Sequence, residues 1–357
     1  IENLEASFRH NLVLIGQRRM GKTSLLKQLM VRLPADYIPV YLDGQVMGLD
    51  PGMSSFFHNL ATEISFALQD QGLEFEAPSL EYFEPNPGTV FEHEFLRQAI
   101  DCAQGKQLLI LLDEFEELEN AVRRSDLNES IFGYLRHLMQ HYTELSFIFC
   151  GTHRLEDLAS DYWSILFNIS LYQHVGNLSR EEAMRLIQEP VARYGMRYDD
   201  LALDKLWRLT SGHPYFLQLL CHSLVNRHNR IQRNYVTIAD VNTAMDEILA
   251  SGEAHFVYLW TESNAMERLA LFALSRTMPL AGSSTPVQVI DYLTERGSMV
   301  SRREIREAMH HLSLREIIRV SDRLEATTDE SYRWQLGLLG LWVEKYKSLG
   351  RVMDEVS

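Results

Sequence analysis

Cysteine, positive charge and long apolar runs are all scarce in this 357-residue sequence. Its three cysteines, Cys102, Cys150 and Cys221, lie far apart and show no metal-ligand spacing, which leaves no thiolate metal site and suits reduced thiols in a cytoplasmic protein. They are expected to be small core residues. No apolar run reaches the length needed to cross a bilayer, so a transmembrane helix is excluded. Neither an internal repeat nor a low-complexity tract is present. The chain opens at Ile1 without an initiator Met or a signal-peptide pattern, and reads as a fragment of something longer. Lys and Arg number 34 against 49 Asp and Glu, a net charge of -15. Residues 265 to 357 hold 13 of each sign, so the deficit falls wholly on the first 264. That distribution weighs against a nucleic-acid clamp, which needs a basic face, and leaves room only for a small local one.

What is present is ordinary globular material, 46% hydrophobic and 23% charged, long enough for two or three domains with sizeable cores. Over the first 175 residues short apolar runs alternate with amphipathic ones. Strands are expected at Asn11 to Ile15, Tyr37 to Leu42, Gln107 to Leu112, Leu145 to Cys150 and Ile169 to Val175, as a parallel sheet covered on both faces. The acidic, proline-rich stretch Gly72 to Gly88 reads as a surface loop. From Ser179 helices take over, beginning with a Ser179/Glu182 capping box. After a connection near Ala250 to Glu262 come three helical patterns, two strands around a polar turn and a closing helix, which is the winged-helix order. The expected domains are 1–176, 177–252 and 253–357.

Four motifs carry chemistry. "GQRRMGKT" matches G-x-x-x-x-G-K-[ST] at Gly16, Gly21, Lys22 and Thr23, after a strand and before a helix. Glycines let the backbone wrap an anion, the amides and helix N-terminus point positive charge at it, Lys22 neutralises phosphate oxygens and Thr23 can ligate Mg²⁺. In "LLILLDEFEEL" an apolar strand delivers Asp113 and Glu114 at its carboxyl end, Asp113 placed for Mg²⁺ and Glu114 to deprotonate an attacking water, with Glu116, Glu117 and Glu119 read as a solvated helix face. "LSFIFCGTHRLEDL" ends a further strand in Gly151, Thr152, His153 and Arg154, from which a side chain could meet a γ-phosphate; Arg154 is the favoured sensor, with Thr152 and His153 left open. "TSGHPYFLQLL" sets Pro214 at a helix junction, an ordinary stop and start on spacing alone.

The pieces "GQRRMGKTSLL", "LLILLDEFEEL", "FIFCGTHRLEDL", "TSGHPYFLQLLC" and "YRWQLGLLGLWVEKY" together resemble the STAND-type signal-transduction ATPases, relatives of archaeal and bacterial ATPases and of the AAA+ group. The resemblance implies an α/β P-loop NTPase sheet with an extra strand between the phosphate-loop and Walker B strands, then a helical lid and a winged helix. It implies slow ATP hydrolysis and an ADP-held closed monomer that exchanges nucleotide, rotates its domains and forms a homo-oligomer, activating a fused effector or sensor domain, with no membrane role. Carried onto this chain, Gly16, Gln17, Arg18, Arg19, Met20, Gly21, Lys22, Thr23 and Ser24 would surround the phosphates of ATP or ADP. Thr23 and Asp113 would hold Mg²⁺, Glu114, Lys22 and Arg154 would act in catalysis, Thr152 would line the site, and Pro214 would touch the adenine side. Two departures stand out. The segment before the phosphate loop is too short for the family's adenine-contacting element, and no winged-helix histidine can be assigned, since the His310-His311 pair lies in a helix.

Origin-recognition ATPases of the AAA+ group offer a second function, because their winged helix binds DNA. Where they carry an arginine after Ser-Gly, this chain reads "SGHPY", with Tyr215 in its place. That difference and the neutral C-terminal region disfavour DNA. A continuous basic stripe around Arg302, Arg303 and Arg306 would revive it. Arg123, Arg124 and Arg136 stand as candidates for action on a neighbouring copy's nucleotide.

Overall fold

The computed structural model describes residues 11–47, 52–152, 170–252, 254–321 and 330–355, and the chain divides into two compact units, Ile1–Gly176 and Asn177–Ser357. In the first, five parallel strands, β1 (Asn11–Ile15), β2 (Tyr37–Asp43), β3 (Gln107–Asp113), β4 (Leu145–Gly151) and β5 (Ser170–His174), form one sheet in the order β2-β3-β4-β1-β5. β4 thus lies between β1 and β3. Register aligns the carboxyl ends: Ile15 sits beside Gly151, and Asp43 beside Asp113.

Side chains alternate across each strand, and near-continuous apolar runs result because both faces are covered. Val13, Val40, Ile110, Leu112 and Phe149 enter a core shared with the helices Met53–Asp70 and Ser130–His141. Leu12, Leu14, Leu109, Leu111 and Ile148 enter a second core on the opposite face, closed by Leu26 and Leu29 of the helix Lys22–Arg32. The stretch Gly72–Gly88 is more than a surface loop: Leu80–Phe83 forms a 3₁₀ turn and Phe83 is fully buried, with Phe75 packed on the same core. Those aromatic rings contribute enough apolar area to pin an otherwise acidic segment.

The second unit is helical. Ser179 and Glu182 form the expected capping box ahead of Arg180–Ala192, followed by Asp200–Thr210, Pro214–Ile231 and Ile238–Ala250. Two short strands, β6 (Arg197–Tyr198) and β7 (Tyr235–Val236), pair parallel beside them. The expected connection after Ala250 contains a helix, Ala254–Thr261, because His255, Phe256 and Trp260 find a buried face; Phe256 stacks on Phe216 with ring centroids 5.0 Å apart. Then come Ala265–Thr277, Pro286–Thr294 and Arg302–Leu314, an antiparallel hairpin of β8 (Ile318–Val320) and β9 (Tyr332–Trp334), and the helices Gly337–Tyr346 and Leu349–Asp354. Ser284 bridges to Tyr332, adding a third extended segment to the hairpin. One hydrophobic core runs from Ala183 to Val352, so the helices on both sides of residue 252 share it.

Candidate functional site

At the carboxyl end of β1 the chain turns into the helix Lys22–Arg32, whose N-cap is Gly21 at φ 89°. An L side chain there would cost about 1–2 kcal/mol, so glycine is the residue the turn accepts. Arg19 pays a similar strain at φ 67°. Lys22 is buried, and its Nζ donates to the carbonyls of Gly16 (2.9 Å) and Gln17 (3.0 Å). Burial pulls its pKa down, opposed by nearby acidic groups that include Glu116, Asp113 and Glu114. Met20 is buried, Gln17 half-buried, and Arg18, Arg19 and Ser24 exposed.

β3 brings its acids against this loop. Thr23 Oγ1 donates to Asp113 Oδ2 at 2.6 Å, the Tyr41 hydroxyl donates to the same oxygen at 3.0 Å, and the backbone N–H of Glu114 donates to Asp113 Oδ1 at 3.1 Å. The spacing of 90 residues between Thr23 and Asp113 closes only because β1 and β3 lie in one sheet. Sequence reasoning missed Tyr41. Its presence follows from register, which sets Tyr41 beside Leu111 and so on the face that Asp113 shares, and burial with the Asp113 charge raises its phenol pKa.

Glu114 follows in the left-handed region, at φ 51°, a strain of about 1 kcal/mol held at a candidate catalytic position. Its carboxylate Oε2 accepts a hydrogen bond from Gln45 Nε2, on the short helix Gly44–Met47 that follows β2. Burial raises the Glu114 pKa; the Gln45 bond opposes this, and Glu116, Asp113 and Asp43 add to it. Gln45 was also missed, since nothing in its local sequence marks it.

Two of the acids read as a solvated helix face are otherwise engaged. Glu116 accepts from Thr152 Oγ1 at 2.7 Å and from the Thr152 backbone N–H, while Glu119 is buried and paired with Arg123. The cause is β4, which ends beside β3 and carries Thr152 to the first turn of the helix Glu116–Arg123. Arg124 pairs with Asp126 at 2.8 Å. His153 and Arg154 lie outside the described residues. Pro214 stands at the first position of its helix in the second unit, after a buried His213. Cys150 is buried as expected, whereas Cys102 and Cys221 are only partly so.

The comparisons with known proteins bear on the fold that carries this geometry. The AAA domain family matches residues 7–159. No curated protein matches the chain in sequence. Among solved structures, a Walker-type ATPase of Pyrococcus abyssi superposes with a TM-score of 0.63 at 15% identity, over 96% of this chain and 93% of that one. The ORC2 protein of Aeropyrum pernix, in its ADPNP-ADP complexes, gives 0.60 at 13% identity over 99% and 89%, and in its ADP form 0.53 at 12% identity over 100% and 92%. At such identities the likeness is one of fold. The chain therefore carries an AAA-type sequence match on a parallel five-stranded α/β sheet, within a fold shared with P-loop ATPases.

Proposed function

We propose that this chain binds ATP with Mg²⁺ on residues 16–24 and hydrolyses it, using Glu114 as general base. The observation that carries the reading is the convergence of Thr23, Asp113, Lys22 and Glu114 at one sheet end, with the Thr23 hydroxyl 2.6 Å from an Asp113 oxygen. The residues fit the group. Thr23 and Asp113 offer paired hard oxygen donors of the kind Mg²⁺ takes, and the loop ahead of the helix N-terminus is an anion cradle. Bound there, the cation would neutralise charge on the β- and γ-oxygens. Lys22 can turn from the Gly16 and Gln17 carbonyls to phosphate oxygens, exchanging neutral acceptors for charged ones. Tyr41 holds the Asp113 carboxylate in place. Glu114 removes a proton from water, and its raised pKa makes it a stronger base than an exposed carboxylate.

Gln45 tempers that basicity, which gives a pH prediction. Gln45→Leu should raise the Glu114 pKa further, so the acid limb of the turnover profile should move to higher pH. The same sign governs folding: a raised carboxylate pKa costs stability above that pKa, and the cost is relieved as pH falls through it. A pH-rate series on both forms, measured by phosphate release, checks the shift; a stationary acid limb would remove Gln45 from the role.

We infer further that the site works as a nucleotide-controlled switch of the STAND type, with Pro214 as a contact to the base and the hairpin region as a winged helix. Support comes from the resemblance of the five quoted motifs and from the broken basic character of the exposed helix face at 302–311, where Glu304 and Glu307 intervene and Arg303 pairs with Glu307 at 2.7 Å. DNA binding is the second reading, and one observation favours it. Arg319 and Arg333 lie directly opposite each other on β8 and β9, both exposed, a like-charge pair that costs stability and that a polyanion would relieve. Small-angle scattering in ADP and in ATP, the latter with Glu114→Gln, tests the first; duplex binding by Arg319→Glu/Arg333→Glu beside wild type tests the second. A change of shape or mass with nucleotide and no salt-sensitive duplex binding is expected. Identical profiles with tight duplex binding would reverse the order of the readings.

A further inference from the structure

We propose that Glu116 is a positioning residue: its carboxylate accepts the one hydrogen bond that the Thr152 hydroxyl can donate, so that Thr152 meets the reaction as a hydrogen-bond acceptor. This rests on the ATP-hydrolysis reading and assigns within it a residue that pattern alone places in solvent. Thr152 Oγ1 donates to Glu116 Oε1 at 2.7 Å, and the Thr152 backbone N–H reaches the same carboxylate, at 3.2 Å from Oε1 and 3.4 Å from Oε2. A threonine hydroxyl owns a single proton and two lone pairs. With the proton committed to a carboxylate, a charge-assisted bond stronger than a neutral one, the hydroxyl has only lone pairs left to offer.

That polarity decides what Thr152 can touch. A γ-phosphate presents oxygen acceptors, which lone pairs repel, so Thr152 in this state is not a donor to phosphate. A water or an ammonium presents N–H or O–H groups, which suit it. In this polarity Thr152 can orient a water for Glu114, which lies two residues before Glu116 on the same segment. The backbone around the clamp is built to admit it. A Cβ on Gly151 would lie 2.2 Å from Glu116 Oε2 and 2.7 Å from a ring carbon of Phe115, so only glycine at the end of β4 lets the carboxylate reach Thr152 unshifted. Glu116 also opens the helix Glu116–Arg123, two residues after Glu114.

The test is single-turnover hydrolysis and calorimetric nucleotide affinity on the full chain for wild type, Glu116→Gln, Thr152→Val, the double variant, Thr152→Ser and Gly151→Ala. The expected result is an ATP-to-ADP affinity ratio unchanged in all, and turnover lowered about ten-fold or more in Glu116→Gln, Thr152→Val and Gly151→Ala. The double variant should be no slower than Thr152→Val alone, because the glutamate acts through the threonine, and Thr152→Ser should keep near-wild-type turnover. A merely structural Glu116 would lower melting temperature without this pattern. Wild-type turnover in Glu116→Gln, multiplicative losses in the double variant, or a selective loss of ATP over ADP affinity in Thr152→Val would each overturn the inference while leaving ATP hydrolysis standing. A wild-type chain that binds ATP without hydrolysing it would overturn both.

Discussion

Glu114→Gln should leave ATP bound and cut its hydrolysis by about a hundred-fold or more, the loss expected when a positioned general base is removed. The substitution is conservative in shape. The amide oxygen can still accept from Gln45, and the left-handed backbone at φ 51° need not change, so the fold and the phosphate loop are expected to persist. What disappears is the basic oxygen. Affinity should hold because, in the proposed reading, Glu114 acts on water and the nucleotide contacts fall to Lys22, Thr23 and Asp113. Single-turnover hydrolysis beside a calorimetric isotherm separates the two quantities. Unchanged turnover would move the base to another residue, and a parallel loss of binding would mean that Glu114 serves the metal.

Lys22→Ala should weaken ATP and ADP alike, by about ten-fold to a hundred-fold, because a charge-assisted contact to a phosphate contributes roughly 1.5–3 kcal/mol. The lysine is buried and its pKa is lowered by that burial, yet the carboxylates of Glu116, Asp113 and Glu114 oppose the shift. Bound phosphate would add negative charge and favour the ammonium further. Removing the side chain also takes two hydrogen bonds from the Gly16 and Gln17 carbonyls, which loosens the loop in the absence of ligand. Calorimetry with both nucleotides checks the prediction. Equal affinity in the two forms would remove the phosphate loop from the site.

The two substitutions bear on different links of the same chain of causes. Lys22 is fixed by local geometry, since the helix that starts at Gly21 carries it directly to the loop carbonyls. Glu114 is fixed by tertiary geometry, because its surroundings come from β2, β4 and the helix that Gln45 occupies. Loss of either residue should therefore reveal a different dependency: binding on the loop, turnover on the sheet.

The sequence by itself determined the strands, the glycine turn from Gly16 to Gly21 and the two acids at the end of β3. Each is encoded within a dozen residues, by apolar runs, by glycines at fixed spacing and by an abrupt change from Leu112 to Asp113, and each element formed within a residue or so of its expected bounds. The capping box at Ser179 is of the same kind, a contact between residues three apart. Tertiary structure alone decided which side chains meet across the sheet. Tyr41 lies 72 residues from Asp113, Gln45 lies 69 from Glu114, and Thr152 lies 36 from Glu116; strand order and register bring each pair together. Burial of the helix Ala254–Thr261 was likewise settled by rings distant in sequence, Phe216 and Trp342. Strand order leaves no mark in a strand's own residues, because every apolar run is compatible with several neighbours, and the choice among them falls to packing of the whole core.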